Sequence, residues 1–298
     1  MPATDTPAEA GELVTAAGSR TGSGTVRTPA RTFPLGPGAR LGVRVDPGRW
    51  CLGRRGTDGA TIPCPDGARV ARGRQCPRCQ ADDPWRWLHI VHRSQFGPDP
   101  ALRAHLMRPH WLYVATFAGG MTKVGTAVDE RKHDRIDEQG AVFAHWVGLA
   151  ADGLEVRDWE DRVSRDAGVG QVVRPAAKAA GLAGPVDLHE LERIHHAGVD
   201  RVGEALAAVP GAAPFAEPWP NPRDPATLEG GVRHPYPETL DHGAHGFTVR
   251  SWWGPVALVE LDGDPDALWS VDVSALVGHR VTLGDHATPV PQIQDSLF

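Results

Sequence analysis

Lysine is almost missing from this 298-residue chain. Of its 31 basic residues only Lys123, Lys132 and Lys178 are lysine, and the other 28 are arginine. With so much Ala, Gly and Pro alongside, the bias is that of a GC-rich genome, and arginine counts alone carry little functional weight. Long apolar runs are missing too. None comes near the roughly 18 residues that a membrane span requires. The first twenty residues, MPATDTPAEAGELVTAAGSR, hold neither a basic start nor an apolar core, so no secretory signal is visible and the expected location is cytoplasmic. Neither a P-loop nor a Rossmann glycine fingerprint is present, which leaves nucleotide hydrolysis and nicotinamide chemistry unsupported. Internal repeats are absent as well. Gly and Pro, by contrast, are plentiful at 35 and 27, which excludes a helical bundle throughout. With 41% apolar and 23% charged residues, most of the chain should fold, and its length suffices for two or three modest domains.

The net charge of −6 conceals an asymmetry. Residues 40–108 carry 13 Arg against 6 Asp, a balance of +7, so the rest of the chain sums to −13. An acidic protein with one basic segment fits a nucleic-acid reader, because local potential steers phosphate more than net charge does. A loop module with solvated arginines is the plainer alternative.

Patterning predicts an α+β chain in five stretches. Residues 1–39, rich in Pro, Thr, Ala, Ser and Gly, read as a disordered leader. Residues 40–108 open with a strand, in which Leu41, Val43 and Val45 alternate, and continue into a loop-rich segment holding all four cysteines. An amphipathic stretch follows from Trp85 to about Met107. Residues 109–200 form a central β-β-α-β-α core: strands at 111–118 and 121–125, a polar helix at about 129–139, a strand at 141–149, and a helix at 154–167 with Val156, Trp159 and Val163 on one stripe. A further helix is expected at 186–197. Residues 201–245 read as a Pro-rich linker, and 246–298 as a β-rich C-terminal region. The strand at Leu41–Val45 is expected to share a sheet with those at Val256–Leu261 and Trp269–Val273, since each set alone is too short to bury a core.

Cys51, Cys64, Cys76 and Cys79 are spaced C-x12-C-x11-C-x2-C. Four thiolates suit tetrahedral zinc, and Cys76-Pro77-Arg78-Cys79 is a turn that presents two sulfurs to one ion. The surrounding segment has few large apolar residues, so a metal would supply folding energy that its core lacks. Two disulfides, or a reactive pair at Cys76 and Cys79, are the competing readings. The expected reducing compartment argues against the first, and the lack of a thioredoxin-like frame against the second. A closed shell of four thiolates is structural, with no open position for substrate.

Trp111-Leu112-Tyr113, Lys123-Val124-Gly125, an Arg-bearing polar helix and a Glu on a later helix together resemble the GIY-YIG nuclease core. The resemblance implies that Tyr113, Lys123, Arg131 or Arg135, and Glu160 converge on a scissile phosphate. It also implies that Glu160 holds a divalent metal, Mg or Mn. Such a carboxylate can hold one Mg²⁺ that keeps most of its waters, and a guanidinium can fork two phosphate oxygens. The first tripeptide lacks its Gly, Lys123 stands in place of a second Tyr, and the two arginines flank the usual spacing. Together with Cys51-Leu52-Gly53, Pro63-Cys64-Pro65, Gln75-Cys76, Lys123-Val124-Gly125-Thr126 and Glu138-Gln139-Gly140-Ala141, the pattern also looks like an uncharacterised bacterial and archaeal domain-of-unknown-function family. That family joins a four-cysteine zinc element to a GIY-YIG-like core.

The functional expectation is a metal-dependent nucleic-acid phosphodiesterase, acting on DNA or RNA, with a structural zinc module and no membrane partner. The alternative is a catalytically inactive, zinc-stabilised nucleic-acid-binding protein. The bland reading makes Tyr113 an ordinary strand aromatic, the arginines a solvated helix face, and Glu160 a partner of Arg157 or Arg165. His189-Glu190-Leu191-Glu192-Arg193 starts like a zincin helix but has Arg193 where the second His belongs. His189, His195 and His196 therefore read as helix-surface residues. Trp252, Trp253 and Trp269 read as core.

Overall fold

The computed structural model describes residues 12–14, 16–20, 23–27, 32–93 and 98–291. The fold is α+β, built on a large and a small sheet with minor hairpins beside them.

The large sheet has seven strands. Across it lie Glu12–Leu13, Arg280–Leu283, Arg40–Val45, Gly243–Trp253, Val256–Leu261, Asp264–Asp272 and Val232–Pro235. Neighbours are antiparallel except the last pair. Alternation places Leu41, Val43 and Val45 on the buried side, against Phe247, Val249, Val259, Trp269 and Val271. The expected sharing of one sheet by the two flanks holds, with Gly243–Trp253 interposed as the direct partner from Thr248↔Arg40 to Gly243↔Val45. The three C-terminal tryptophans are core side chains, each no more than 2% exposed.

Two stretches differ from their expected character. In residues 1–39, composition predicts a disordered leader, yet the described part holds strands. Ala16–Arg20, Ser23–Arg27 and Thr32–Leu35 form an antiparallel sheet, and Glu12–Leu13 pairs with Arg280–Leu283. These segments are short of large apolar residues, so hydropathy could not mark them, and backbone pairing defines them instead. Leu35 is nevertheless in the core, and its carbonyl accepts the Trp252 indole N–H at 2.5 Å. Residues 201–245, read from their prolines as a linker, begin inside the helix Leu188–Ala207. They then pack along the small sheet: Glu217–Pro218 pairs with Phe143–Ala150, Trp219 is 6% exposed, and Asn221 donates to the Val142 carbonyl at 2.9 Å.

The small sheet runs Glu217–Pro218, Phe143–Ala150, His110–Thr116, Thr122–Val128, antiparallel throughout. A short helix, Lys132–Asp137, joins its second and third long strands in chain order. Helices Gly153–Asp166 and Leu188–Ala207 cover one face, packing Val156, Trp159, Val163 and Val202 against Leu112, Val114, Val124 and Val147. Asp152 caps the first of these helices, accepting from the backbone N–H groups of Leu154 and Glu155 at 2.8 and 2.9 Å. Tyr113, Ala115, Phe117, Ile136 and Trp146 lie on the opposite side of the sheet. A further cluster, with Ala118, Val142, Leu182, Trp253 and Leu258, joins the two sheets. Gly140 sits at that junction with φ of 74°, and a Cβ there would meet the Trp253 carbonyl oxygen at 2.2 Å. Only glycine permits both the backbone conformation and the contact.

Among the described residues no helix is long and apolar enough to cross a membrane.

Candidate metal centre and catalytic cavity

The four cysteine sulfurs lie within 4.8 Å of one another. Cys51, Cys76 and Cys79 are buried, Cys64 is partly exposed, and all four are free. The Cys51 sulfur accepts backbone N–H groups from Gly53 and Cys76 at 3.3 and 3.1 Å. Burial pushes the Cys51 and Cys79 thiols up, whereas backbone N–H groups of Ala68 and Asp66 bring Cys64 down to about 7. Crowding four thiols at one point is costly unless a cation takes the place of their protons. The set is compatible with a structural zinc ion, and convergence on one point is what tetrahedral ligation requires.

A buried carboxylate couples this centre to the residues that follow. Asp83, 6% exposed, accepts from the Gln75 amide at 2.6 Å, the Trp85 backbone N–H at 2.8 Å and the Arg55 backbone N–H at 3.3 Å. Gln75 immediately precedes Cys76, and Trp85 opens the stretch running to Arg93. The Trp85 indole donates to the Gly56 carbonyl at 2.8 Å. The stretch ends pinned to the helix Gly153–Asp166. There Asp161 bonds His92 Nε2 at 2.8 Å, Arg93 Nε at 2.7 Å and the Gln171 amide at 2.9 Å. These partners hold the Asp161 carboxyl far below the usual range, against the upward push of its burial.

Between this stretch and the small sheet lies a cavity of about 590 Å³. All five residues that the sequence singled out for chemistry line it: Tyr113, Lys123, Arg131, Arg135 and Glu160. Tyr113 faces Gly125 across the strand pair, and a Cβ at Gly125 would stand 2.5 Å from the phenol oxygen. The glycine therefore makes room for the phenol. Tyr113 is fully buried and its hydroxyl has no hydrogen-bond partner among the described residues. The Lys123 ammonium lies 5.6 Å from the centre of its ring.

The two candidate arginines differ in their surroundings. Arg131 is exposed and paired with Glu138 at 2.6 Å. Arg135 is half-buried and has no ion pair among the described residues. Their helix is held from its other side by Lys132, whose ammonium lies 3.9 Å from the Trp111 ring centre and 4.7 Å from that of Trp146.

Glu160 follows Trp159 on the edge of the buried stripe, which turns its carboxylate past the sheet edge into the cavity. Burial raises its pKa, opposed by the charges of Arg157 and Lys123. Arg157, one helical turn earlier, reaches to 3.8 Å from it. Burial also lowers the pKa of Arg157, and its Nε has no partner among the described residues. The cavity thus presents six cationic side chains against two carboxylates, one of which, Asp161, is already fully engaged.

Sequence reasoning missed Arg157 as a cavity residue, together with Asp161, Arg55 and the stretch from Trp85 to Arg93. For Arg55 and the stretch from Trp85 to Arg93 the excess of arginine in 40–108 was the available signal, but it could not say which side chains face inward, and Arg157 and Asp161 lie outside it. His195 also differs from its expected surface position. It is 1% exposed, bonded to Thr116 Oγ1 at 2.9 Å and to His145 Nδ1 at 2.8 Å, and burial depresses it to about 3. His189 and His196 are exposed.

Set against protein-family models, curated proteins and solved structures, the chain gives no match in any of the three.

Proposed function

We propose that the cavity cleaves phosphodiester bonds of nucleic acid in a metal-dependent, GIY-YIG-like reaction, with the zinc module as a structural element. The observation that carries this reading is the fully buried Tyr113 hydroxyl, without a partner among the described residues, in a cavity with excess positive charge. A buried hydroxyl without a partner is costly, and a ligand that supplies the partner repays the site.

Arg135, being unpaired, forks two non-bridging oxygens of the phosphate. Lys123 neutralises charge that develops beside the phenol. Tyr113 hydrogen-bonds the attacking water, whose proton passes to solvent as its oxygen bonds phosphorus, and the leaving oxygen departs as its P–O bond breaks and takes a proton from solvent. Glu160, the cavity carboxylate that is not taken up by three partners as Asp161 is, fits Mg²⁺ or Mn²⁺, which is held through few protein ligands. When bound, such a cation polarises the phosphoryl oxygen and steadies the leaving group. Arg157 sets the orientation of the Glu160 carboxylate and adds a second positive charge facing the phosphate. The element order β-β-α-β-α, with the Tyr113 strand central among the three long strands, supports the same reading. So does the meeting of residues that lie 47 apart in sequence at Tyr113 and Glu160.

The test is incubation of the zinc-loaded chain with labelled DNA and RNA, in Mg²⁺ and in Mn²⁺, beside Glu160→Gln and Tyr113→Phe. Scission by the parent chain that both variants lose is the expected result. Scission that survives Glu160→Gln refutes the assignment.

The second reading is an inactive binder. The proximity of Arg157 to Glu160 favours it, because a guanidinium at 3.8 Å competes with a cation for the carboxylate. It predicts salt-sensitive binding without scission in any divalent metal. A cytoplasmic location belongs to either reading.

A further inference from the structure

The shape of the cavity restricts what can reach Tyr113. On one side is the sheet, with Tyr113 and Lys123. Facing it, Trp85, Leu88, His89 and Ile90 form a roof, and the next residues, His92 and Arg93, are tied through Asp161 to the helix that carries Glu160. The phenol is 0% exposed beneath that roof. A paired duplex presents its phosphates on a convex, stiff ridge, which cannot be brought to a buried hydroxyl. A volume of about 590 Å³ lies within the roughly 300–1,000 Å³ range of sites for small organic ligands, which includes a nucleotide.

The lining is graded in chemistry. Lys123 and the Arg157 side chain are 6% and 11% exposed, whereas Ile90 and Val172, which also line the cavity, are 46% and 76% exposed and so stand at its mouth. The lining also includes the Trp85 ring, approached edge-on by His105 at 5.3 Å, with the Arg55 guanidinium 6.0 Å from its centre and its indole N–H held by the Gly56 carbonyl. Apolar and aromatic surface near the mouth suits base faces, and the inner cations suit the backbone.

We infer that the nucleic acid enters as an unpaired strand, or as a nucleotide extruded from a duplex, with a base against Trp85, Ile90 and Val172 and its phosphate beneath the roof. This rests on the proposed phosphodiesterase reading and narrows its substrate to unpaired nucleic acid. Extruding a nucleotide costs stacking and pairing energy, least at loops, mismatches and ends.

The experiment uses three fluorescein-labelled forms of one 30-nucleotide sequence, in DNA and in RNA: the single strand, its blunt duplex, and the duplex with a central unpaired loop. Affinity is read by anisotropy with the full-length Glu160→Gln chain, and scission by gel with the parent chain. The expected result is binding of the single strand and the looped duplex at least about tenfold tighter than the blunt duplex, with cuts confined to unpaired nucleotides. Trp85→Ala should weaken strand binding at least about fivefold and Trp85→Phe should restore it. Val172→Glu, at an exposed position that cannot disturb folding, should weaken it about threefold by placing a carboxylate at the mouth. Equal or tighter binding of the blunt duplex, or cuts inside paired sequence, overturns the inference while leaving the phosphodiesterase reading intact. Strand binding unchanged by both Trp85→Ala and Val172→Glu also overturns it. Failure to bind or cut any of the forms overturns both.

Discussion

Removing a single oxygen atom, in Tyr113→Phe, should make the protein more stable and less active at once. The Tyr113 hydroxyl is buried and meets no acceptor or donor among the described residues. A buried hydroxyl left in that condition costs about 1–3 kcal/mol. Phenylalanine keeps the ring between Lys123 and the core and removes only that cost. In a chain of this size 1 kcal/mol moves the melting temperature by about 2 °C, so the variant should melt roughly 2–6 °C higher. Scission should fall by about a hundredfold, the scale for loss of a group that positions the attacking water. The chain supplies its own control, since its only other tyrosine is Tyr236. That hydroxyl is bonded to Thr288 Oγ1 at 2.6 Å and to His245 at 3.3 Å. Tyr236→Phe should therefore lower the melting temperature by about 2 °C, for a lost hydrogen bond of about 1 kcal/mol, and leave scission alone. Calorimetry on the zinc-loaded chain reads the first effect and a cleavage gel the second. A Tyr113→Phe chain that melts below the parent would show that the hydroxyl has a partner, and unchanged scission would remove Tyr113 from the site.

Four other outcomes are expected. Glu160 binds its proton more tightly folded than unfolded, so its penalty grows as pH rises from its unfolded pKa through its raised folded one. Glu160→Gln should accordingly match the parent in denaturant midpoint near pH 4 and exceed it at pH 8, and a midpoint below the parent at pH 8 would contradict this. For His195, depressed to about 3, the unfolded chain takes up the proton first, so stability is full above pH 6.5 and declines below it. Between pH 7 and pH 5 that loss amounts to about 2 kcal/mol, and urea titrations of His195→Gln should show a correspondingly weaker acid dependence. Cys79→Ser should abolish zinc retention, read by elemental analysis, and expose Arg86 and Arg93 to trypsin while the two sheets still unfold cooperatively. Asp83→Ala should open the same sites to trypsin with zinc still bound, because Asp83 links the knuckle to the roof.

How far the sequence could be read depended on whether a feature had a local period. Leu41, Val43 and Val45, the run at 111–118, and Val156, Trp159 and Val163 each declare their buried side through spacing of two or of three and four. The observed elements follow them closely. The cysteine cluster was legible because ligation constrains spacing. Tyr113, Lys123, Arg131, Arg135 and Glu160 could be picked out as a set only by resemblance, and their meeting in one cavity is a product of tertiary folding. The strands within 12–35 escaped because their residues are small and their pairing is a matter of backbone. The prolines in 201–245 suggested a free linker, whereas Trp219 and Asn221 dock that stretch onto the small sheet. Arg157 and Asp161 looked like any charged residues on a helix. Their opposite fates, one guanidinium left without a full partner and one carboxylate with three, depend on segments remote in sequence.

The pairing of Arg40–Val45 with Gly243–Trp253 also sets a timetable for synthesis. About 200 residues of chain separate the two strands, and at about 5–20 residues per second a ribosome needs roughly 10–40 s to supply the second after the first. Throughout that interval the apolar edge of Leu41, Val43 and Val45 has no partner, and an unpaired edge of this kind is a template for aggregation. The cysteine cluster, and the small sheet with its covering helices, are made entirely within the wait and draw on contacts of much shorter range. They can be complete before the large sheet begins to close, so the cavity is assembled first and its supporting scaffold last. Shortening the interval by circular permutation, with Arg40–Val45 moved next to its partner, would raise the yield of folded chain without altering a single cavity residue.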